Sequence, residues 1–472
     1  MSKEFLSEIQ LRSFLGPLDW FVFFLVLAVT LGAILWGHCR KQRASNEGPD
    51  FVDYLLMGRR LSLPLFVATL VATWYGGIFG VTRIAYEYGI YNFLTQGVFW
   101  YLSYLIFAIF LVSRARSFEA LTLPEMVGKM FGPKSRYLAA AFNFFNVLPI
   151  SYAISLGLFA QLLFGGSFFV NMSLSVAAVV LYSIWGGFRA VVFSDLIQFF
   201  VMCSGVALVV IFSFAEFGGL NFLRSHLPEA HFHWAGELGW GEALVWGFIA
   251  MATLVDPNFY QRCFAANSTR TARIGILVST GVWVVFDICT TAGALYARAV
   301  LPEADSGFAY LLYAVQLLPE GLRGFFLAGI LATILSTIDS YLFVAGSTVS
   351  YDLFPGQWQS LVKRMRLSLV VVAVLSVFMA MVFDGNIKLV WRTLGTYFAA
   401  CLLFPVMFGF LFPKKISDHL FVGASLVGVV VVTLWRWSPY SEAVAALYPG
   451  LVSTSLVILG SLWLSRIRAD KA

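Results

Sequence analysis

An all-α protein that crosses a membrane about thirteen times is the fold class predicted, and three observations predict it. Of 472 residues, 60% are hydrophobic, 17% aromatic and only 12% charged, more apolar sequence than a soluble core needs. The hydrophobic runs repeatedly reach about 20 residues, the length of a bilayer-spanning helix. Two of those runs are interrupted in their middles, and they lie five spans apart. The net charge of +6 is then a matter of topology and not of nucleic-acid binding. Cys39, Cys203, Cys263, Cys289 and Cys401 stand apart with no CxxC pair, which points to neither a disulfide framework nor a metal site. The first apolar run has full span length and no small-residue cleavage site, so it reads as a span and not as a signal peptide.

In order, spans are expected at residues 18–37, 63–82, 92–113, 137–163, 168–187, 194–215, 240–261, 272–298, 322–345, 366–384, 389–411, 419–435 and 449–465. An odd number puts the termini on opposite sides, and Lys and Arg choose the orientation. The largest basic clusters are Arg40–Lys41–Arg43 with Arg59–Arg60, and Arg114 and Arg116 with Lys129, Lys134 and Arg136. Both fall in loops that are inside if the N-terminus is outside and the C-terminus cytoplasmic, in a cell (inner or plasma) membrane. The whole chain, 1–472, reads as one transmembrane domain.

The interruptions are specific. The second span carries Gly76–Gly77 in its middle and Gly80 a turn later; the seventh carries Asp256–Pro257. Paired glycines weaken a helix, and proline removes a backbone bond while clashing with the preceding turn. Such breaks are tolerated in a membrane where the backbone is buried or lines a cavity. Two inverted five-helix repeats, each with a broken first helix, account for the matched positions. Residues 63–215 form the first repeat and 240–411 the second, with 18–37 and 419–465 peripheral.

Within the ninth span Thr333, Ser336, Thr337 and Ser340 recur at spacings of three and four, with Asp339 beside them. That spacing stacks four hydroxyls on one helix face. One hydroxyl in hydrocarbon bonds back to its own helix; four on a stripe ask for a polar partner outside it.

Several blocks in order carry a family resemblance: Asp53-Tyr-Leu-Leu-Met-Gly-Arg59, Ala72-Thr-Trp-Tyr-Gly76, Ala85-Tyr-Glu-Tyr-Gly89, Trp185-Gly-Gly-Phe-Arg-Ala190 followed by Asp195-Leu-Ile-Gln198, Gln261–Arg262, Gly293-Ala-Leu-Tyr-Ala-Arg298 and Ser336-Thr-Ile-Asp-Ser340. Over nearly its whole length the chain resembles the sodium:solute symporter family, relatives of the sodium/glucose, sodium/proline and sodium/pantothenate carriers. The resemblance implies a leucine-transporter-like five-plus-five fold and sodium-coupled uptake of a small polar organic solute by alternating access. It places Na+, the coupling ion, between the break in the second span and the face of the ninth. The implied ligands are the carbonyls of Ala72, Tyr75 and Thr333 and the hydroxyls of Ser336 and Thr337. No organic cofactor, nucleic acid or obligatory protein partner is implied; the lipid bilayer is the other partner.

Other polar residues leave two readings each. Asp195 matches a family position on the sodium exit route, or is a first-turn acid favoured by the helix dipole. Asp256 holds substrate or a gate, or caps the half-helix after it. Arg83 meets a solute carboxylate, or pairs with Glu87 one turn on. Gln96, with Thr95, contacts solute or is interfacial. Gly76 and Tyr260, at the two breaks, complete the candidate substrate or gate residues. Asp287 sits in apolar sequence without an evident partner, Asn143 and Asn146 read as inter-helix contacts, and His231 and His233 read as solvated loop. The rival functions are a proton-coupled carrier, since Asp256 and Asp287 are able to titrate, a solute sensor on the same fold, and a membrane enzyme. The five histidines form no catalytic cluster, and no GxxxxGK[ST] loop is present.

Overall fold

The structure, a computed structural model, describes residues 11–44, 51–354, 356, 358–441 and 443–470. Among these residues the architecture is all-helical, and one isolated bridge, Leu61 to Ala266, is its β element. Ten helices are long and apolar enough to cross a membrane. They include α1 (Pro17–Ala44), α4 (Phe93–Arg116), α9 (Gly187–Phe217), α12 (Thr269–Val300), α14 (Leu322–Ser347, continued to Leu353), α16 (Ile387–Leu411), α17 (Asp418–Arg436) and α18 (Leu447–Asp470). The other three expected spans are present as shorter or divided helices. Residues 63–82 divide into α2 (Leu63–Ala72) and α3 (Ile78–Tyr88), and 168–187 forms the shorter α8 (Phe168–Ile184). Residues 240–261 divide into α10 (Gly239–Met251), a 3-10 turn (Ala252–Val255) and α11 (Pro257–Ala265).

Each break has a local cause. The α2 helix closes at Thr73, and its continuation restarts only after Gly77, the residue that precedes α3. At the second break Asp256 is extended (φ −73°, ψ 122°), and Pro257 opens α11 with the fixed φ a first helical residue needs. Asp256 Oδ1 accepts the N–H groups of Asn258 (2.8 Å) and Phe259 (3.2 Å), satisfying two donors the helix leaves orphaned. The broken segments also meet end to end. Leu61 N–H donates to the Ala265 carbonyl (3.0 Å) and Asn267 N–H to the Leu61 carbonyl (3.1 Å), so the start of α2 lies beside the end of α11.

The centre of the molecule is α14. In its most apolar stretch 94% of residues are buried, against 22% in α1 and 28% in each of α17 and α18. Small residues allow close approach: Gly205 of α9 faces Phe326 and Gly329 of α14 backbone to backbone. Buried Asp19 latches α1 to the start of α14, its Oδ1 accepting Gly321 N–H (2.7 Å) and Gly324 N–H (3.1 Å). Gly321 (φ +86°) sits in the left-handed region as the chain turns into α14.

The segment before α10 departs from the solvated loop expected there. His231 is buried, with Nε2 3.2 Å from the Tyr86 carbonyl, and Ile90 N–H donates to the His231 carbonyl (2.9 Å). Gly89 (φ +66°) is what permits this: a Cβ there would stand 2.1 Å from that carbonyl oxygen.

Candidate functional site

Buried Thr333, Ser336, Thr337 and Ser340 line α14 toward the α2–α3 break. Ser336 Oγ lies 2.7 Å from the Ala72 carbonyl, with alternative acceptors at Ala332 (2.8 Å) and Thr333 (3.1 Å) on its own helix. Thr337 Oγ1 lies 2.8 Å from the Thr333 carbonyl and 3.4 Å from that of Ala72. The Thr333 hydroxyl turns back to Ile330 (2.5 Å), so what Thr333 brings to this cluster is its carbonyl. Gly76 closes the other side. A Cβ there would sit 2.5 Å from Thr337 Cβ and 2.7 Å from the Tyr152 ring, contacts no side chain tolerates. Ala72, Thr333, Ser336 and Thr337 thus meet in one neutral oxygen cluster. Tyr75, one residue before Gly76, turns its ring onto Phe286 (centroids 4.2 Å).

One helical turn further along α14 the chemistry changes sign. Arg262 of α11 is wholly buried, and its guanidinium donates to Ser340 (2.6 Å), Thr73 (2.7 Å), Thr69 (3.3 Å), Asn258 (3.3 Å) and Gln261 (3.0 Å). Asp195 Oδ2 is 3.9 Å from Arg262 and accepts the Thr69 hydroxyl at 2.5 Å. Thr73 Oγ1 and Ser340 Oγ are 3.1 Å apart. The network ties the end of α2, the first half of α9, the middle of α11 and the middle of α14. The Gln261–Arg262 block gave a sequence signal for Arg262, but its partners on α2 were not legible.

On the other side of the break lies a cavity of about 140 Å³. Trp74, Trp100, Trp246 and Trp391 wall it, with Tyr75, Tyr152, Tyr341 and Phe398; Gln96, Asn146, Ser151, Thr253 and Asp256 add the polar edge. Gly77 and Gly80 give Trp391 its place, since a Cβ on Gly77 would fall 2.0 Å from the indole. Of the candidate substrate or gate residues, Gln96 and Asp256 line this cavity, and Gly76 packs on its Tyr152. Arg83 and Glu87 do not: Arg83 is more than half exposed and paired with Glu87 at 2.8 Å, and Ser306 also bonds Glu87 (2.6 Å). Tyr260 points away, its hydroxyl on the Leu254 carbonyl (2.9 Å) and its ring edge-on to Phe107.

Residues 54–428 match the model of the sodium:solute symporter family. The chain belongs to that family. It is a sodium-coupled solute symporter, an integral multi-pass membrane protein and not an enzyme. Among curated relatives, the symporter is 25% identical over 451 residues to the osmoregulated proline transporter OpuE of Bacillus subtilis, covering 87% of this chain and 88% of that one. It is 24% identical over 413 residues to the sodium/pantothenate symporter of Escherichia coli, covering 82% and 85%. Among solved structures, a Na+-coupled sialic acid symporter in a substrate-bound outward-open state superposes with a TM-score of 0.77 at 18% identity, over 96% of this chain and 98% of that one. The two share a fold.

Two further buried carboxylates of the symporter lie outside both clusters. Asp339 is satisfied on both oxygens, by Tyr182 OH (2.8 Å) and Ser183 Oγ (2.8 Å). Asp287 takes the Tyr101 hydroxyl on one oxygen, the partner that sequence did not supply. Asn143 bridges helices as expected, donating to Thr348 Oγ1 (2.9 Å), whereas Asn146 faces the cavity.

Proposed function

We propose that sodium is carried at the oxygen cluster between the α2–α3 break and α14, and the solute in the aromatic cavity on the other side of that break. Ala72, Tyr75 and Thr333 offer carbonyls to the ion, and Ser336 and Thr337 offer hydroxyl oxygens. The observation that carries the reading is the meeting of Ser336 and Thr337 with the Ala72 carbonyl where α2 has lost its helical continuation. A hard monovalent cation is held by such neutral oxygens without being trapped by a carboxylate, so it is released when the site opens. Ser336 is suited to the exchange: with its proton turned to Ala332 or Thr333, the oxygen faces the ion.

The break couples the two cargoes. Ala72 belongs to the ion's cage, Tyr75 to both its cage and the cavity wall, and Gly77 to the wall alone. Filling one site orders a segment the other needs, and such coupling is reciprocal. The Arg262–Asp195–Thr69–Thr73–Ser340 network lies past the ion cluster, toward the end of α14. We assign it the inner closure, with Asp195 on the sodium exit route. Opening inward then requires these hydrogen bonds to be exchanged for water.

Thirteen crossings follow when the two broken helices and α8 are counted with the ten long ones. The meeting of the start of α2 with the end of α11 supports the five-plus-five inverted repeat, 63–215 and 240–411, with α1, α17 and α18 outside it. The basic loops support an N-terminus outside and a C-terminus in the cytoplasm of a cell membrane. The solute is a small polar organic compound.

Thermal stability of the purified protein in NaCl against KCl tests the ion assignment. The wild type is expected to gain stability in sodium selectively, and Ser336→Ala and Thr337→Ala to need at least tenfold more sodium for the same gain. Equal sodium dependence in all three proteins would place the ion elsewhere.

A further inference from the structure

We infer that the solute carries a positively charged nitrogen, held at Asp256 among the cavity's aromatic faces; the inference rests on the transport reading, which makes this cavity the solute's seat. Of the described residues that line the cavity, none is Lys, Arg or His, and Asp256 is the one formal charge. The nearby bases are engaged elsewhere. Arg392, next to Trp391 in sequence, pairs with Glu242 (3.1 Å), Arg83 pairs with Glu87, and Arg262 turns to Asp195 and the hydroxyls of α2 and α14.

Asp256 does cap α11, but capping uses only Oδ1. Asn, Ser or Thr would cap as well without bringing a charge to the wall. The helix N-terminus offsets part of that charge. The remainder is tolerable while water fills the cavity and costly once a solute displaces it, unless the solute brings the counter-charge. A solute with a net negative charge would repel the carboxylate, and a neutral sugar would offer it hydroxyl donors but no counter-charge. An ammonium group pairs with it, and the indole and phenol faces of Trp74, Trp246 and Tyr341 attract the same cation through their quadrupoles. Ser151 Oγ and Thr253 Oγ1 are buried at the same cavity without a partner among the described residues, as is Gln96 Nε2. They are able to donate to a carboxylate if the ammonium compound is a zwitterion.

The test uses the purified full chain at saturating sodium, with thermal stabilisation read for matched compounds. L-proline is compared with pyrrolidine, which lacks the carboxylate, and with cyclopentanecarboxylate, which lacks the amine. Choline is compared with its uncharged carbon isostere. The expected result is stabilisation by at least one ammonium compound and by neither amine-lacking counterpart. Stabilisation by pyrrolidine or choline marks a simple cation as sufficient, whereas stabilisation by L-proline alone marks a zwitterion. Asp256→Asn, which keeps the cap, should weaken binding of the responding compound at least tenfold while leaving the shift produced by sodium alone unchanged. Trp246→Leu should weaken it severalfold, again without altering the sodium shift. Stabilisation by cyclopentanecarboxylate or the carbon isostere, or none by any ammonium compound, would overturn the inference. So would an Asp256→Asn protein that loses the sodium shift together with the compound. Absence of a sodium shift in the wild type would instead strike at the ion assignment.

Discussion

Arg262 is the residue on which the buried polar network turns. A buried guanidinium is tolerable because five side-chain oxygens and a carboxylate meet it. Removing it strands Asp195, whose Oδ1 already has no partner among the described residues. Arg262→Met is therefore expected to cost about 3–5 kcal/mol, read as a fall in melting temperature. Adding Asp195→Asn should recover a large part of the loss, since the uncompensated charge is gone. Simple additivity of the two losses would show that the groups are not coupled. Gly76 gives a steric counterpart. Gly76→Ala forces a methyl to within 2.5 Å of Thr337 Cβ, so sodium affinity should fall at least tenfold. Gly32→Ala on α1, where a Cβ meets nothing within 4 Å, should leave transport unchanged. Equal sodium affinity in Gly76→Ala and wild type would show that the break and α14 need not touch.

At the scale of elements, helix breakers announce themselves. Gly76–Gly77 and Asp256–Pro257 were legible because each alters backbone energetics wherever it stands, and the hydroxyl stripe on α14 because its period is helical. The cavity was legible only in part. Trp391 reaches it from α16, and no local pattern relates that indole to Gly77, which makes room for it more than three hundred residues earlier. His231 was misread for the same reason: its burial depends on Gly89 and α3. That contact carries a pH prediction. Burial pushes His231 below its ordinary 6.5, with the nearby Arg298 acting in the same direction and the Tyr86 carbonyl and Glu237 opposing. The neutral ring is favoured in the folded segment, so its contribution is present above pH 6.5 and lost as pH falls below it. Amide exchange at Ile90 and the 229–233 turn should accelerate between pH 7 and pH 5, and His231→Gln should flatten that dependence. Exchange that is insensitive to pH in the wild type would rule out His231 as the latch.

For the whole molecule, orientation and coupling are joined. In the proposed orientation, with the C-terminus cytoplasmic, α14 runs from outside to inside, which sets the ion cluster outward of the Arg262 network, as an inwardly released cargo requires. A cysteine placed at Lys415, in the loop between α16 and α17, should react with an impermeant thiol reagent only after cells are opened. Labelling of intact cells would invert the assignment. One sodium cage, shared between α2 and α14, is proposed to drive uptake of the solute. The most direct measurement is solute uptake against sodium concentration in proteoliposomes, using the compound that stabilises the protein, for wild type, Ser336→Ala and Thr337→Ala. Losing one of the cage oxygens should cost about 1–3 kcal/mol of ion binding. Half-maximal uptake should then need roughly tenfold to a hundredfold more sodium, with apparent solute affinity recovering as sodium is raised. Superimposable sodium curves for the three proteins would contradict the account.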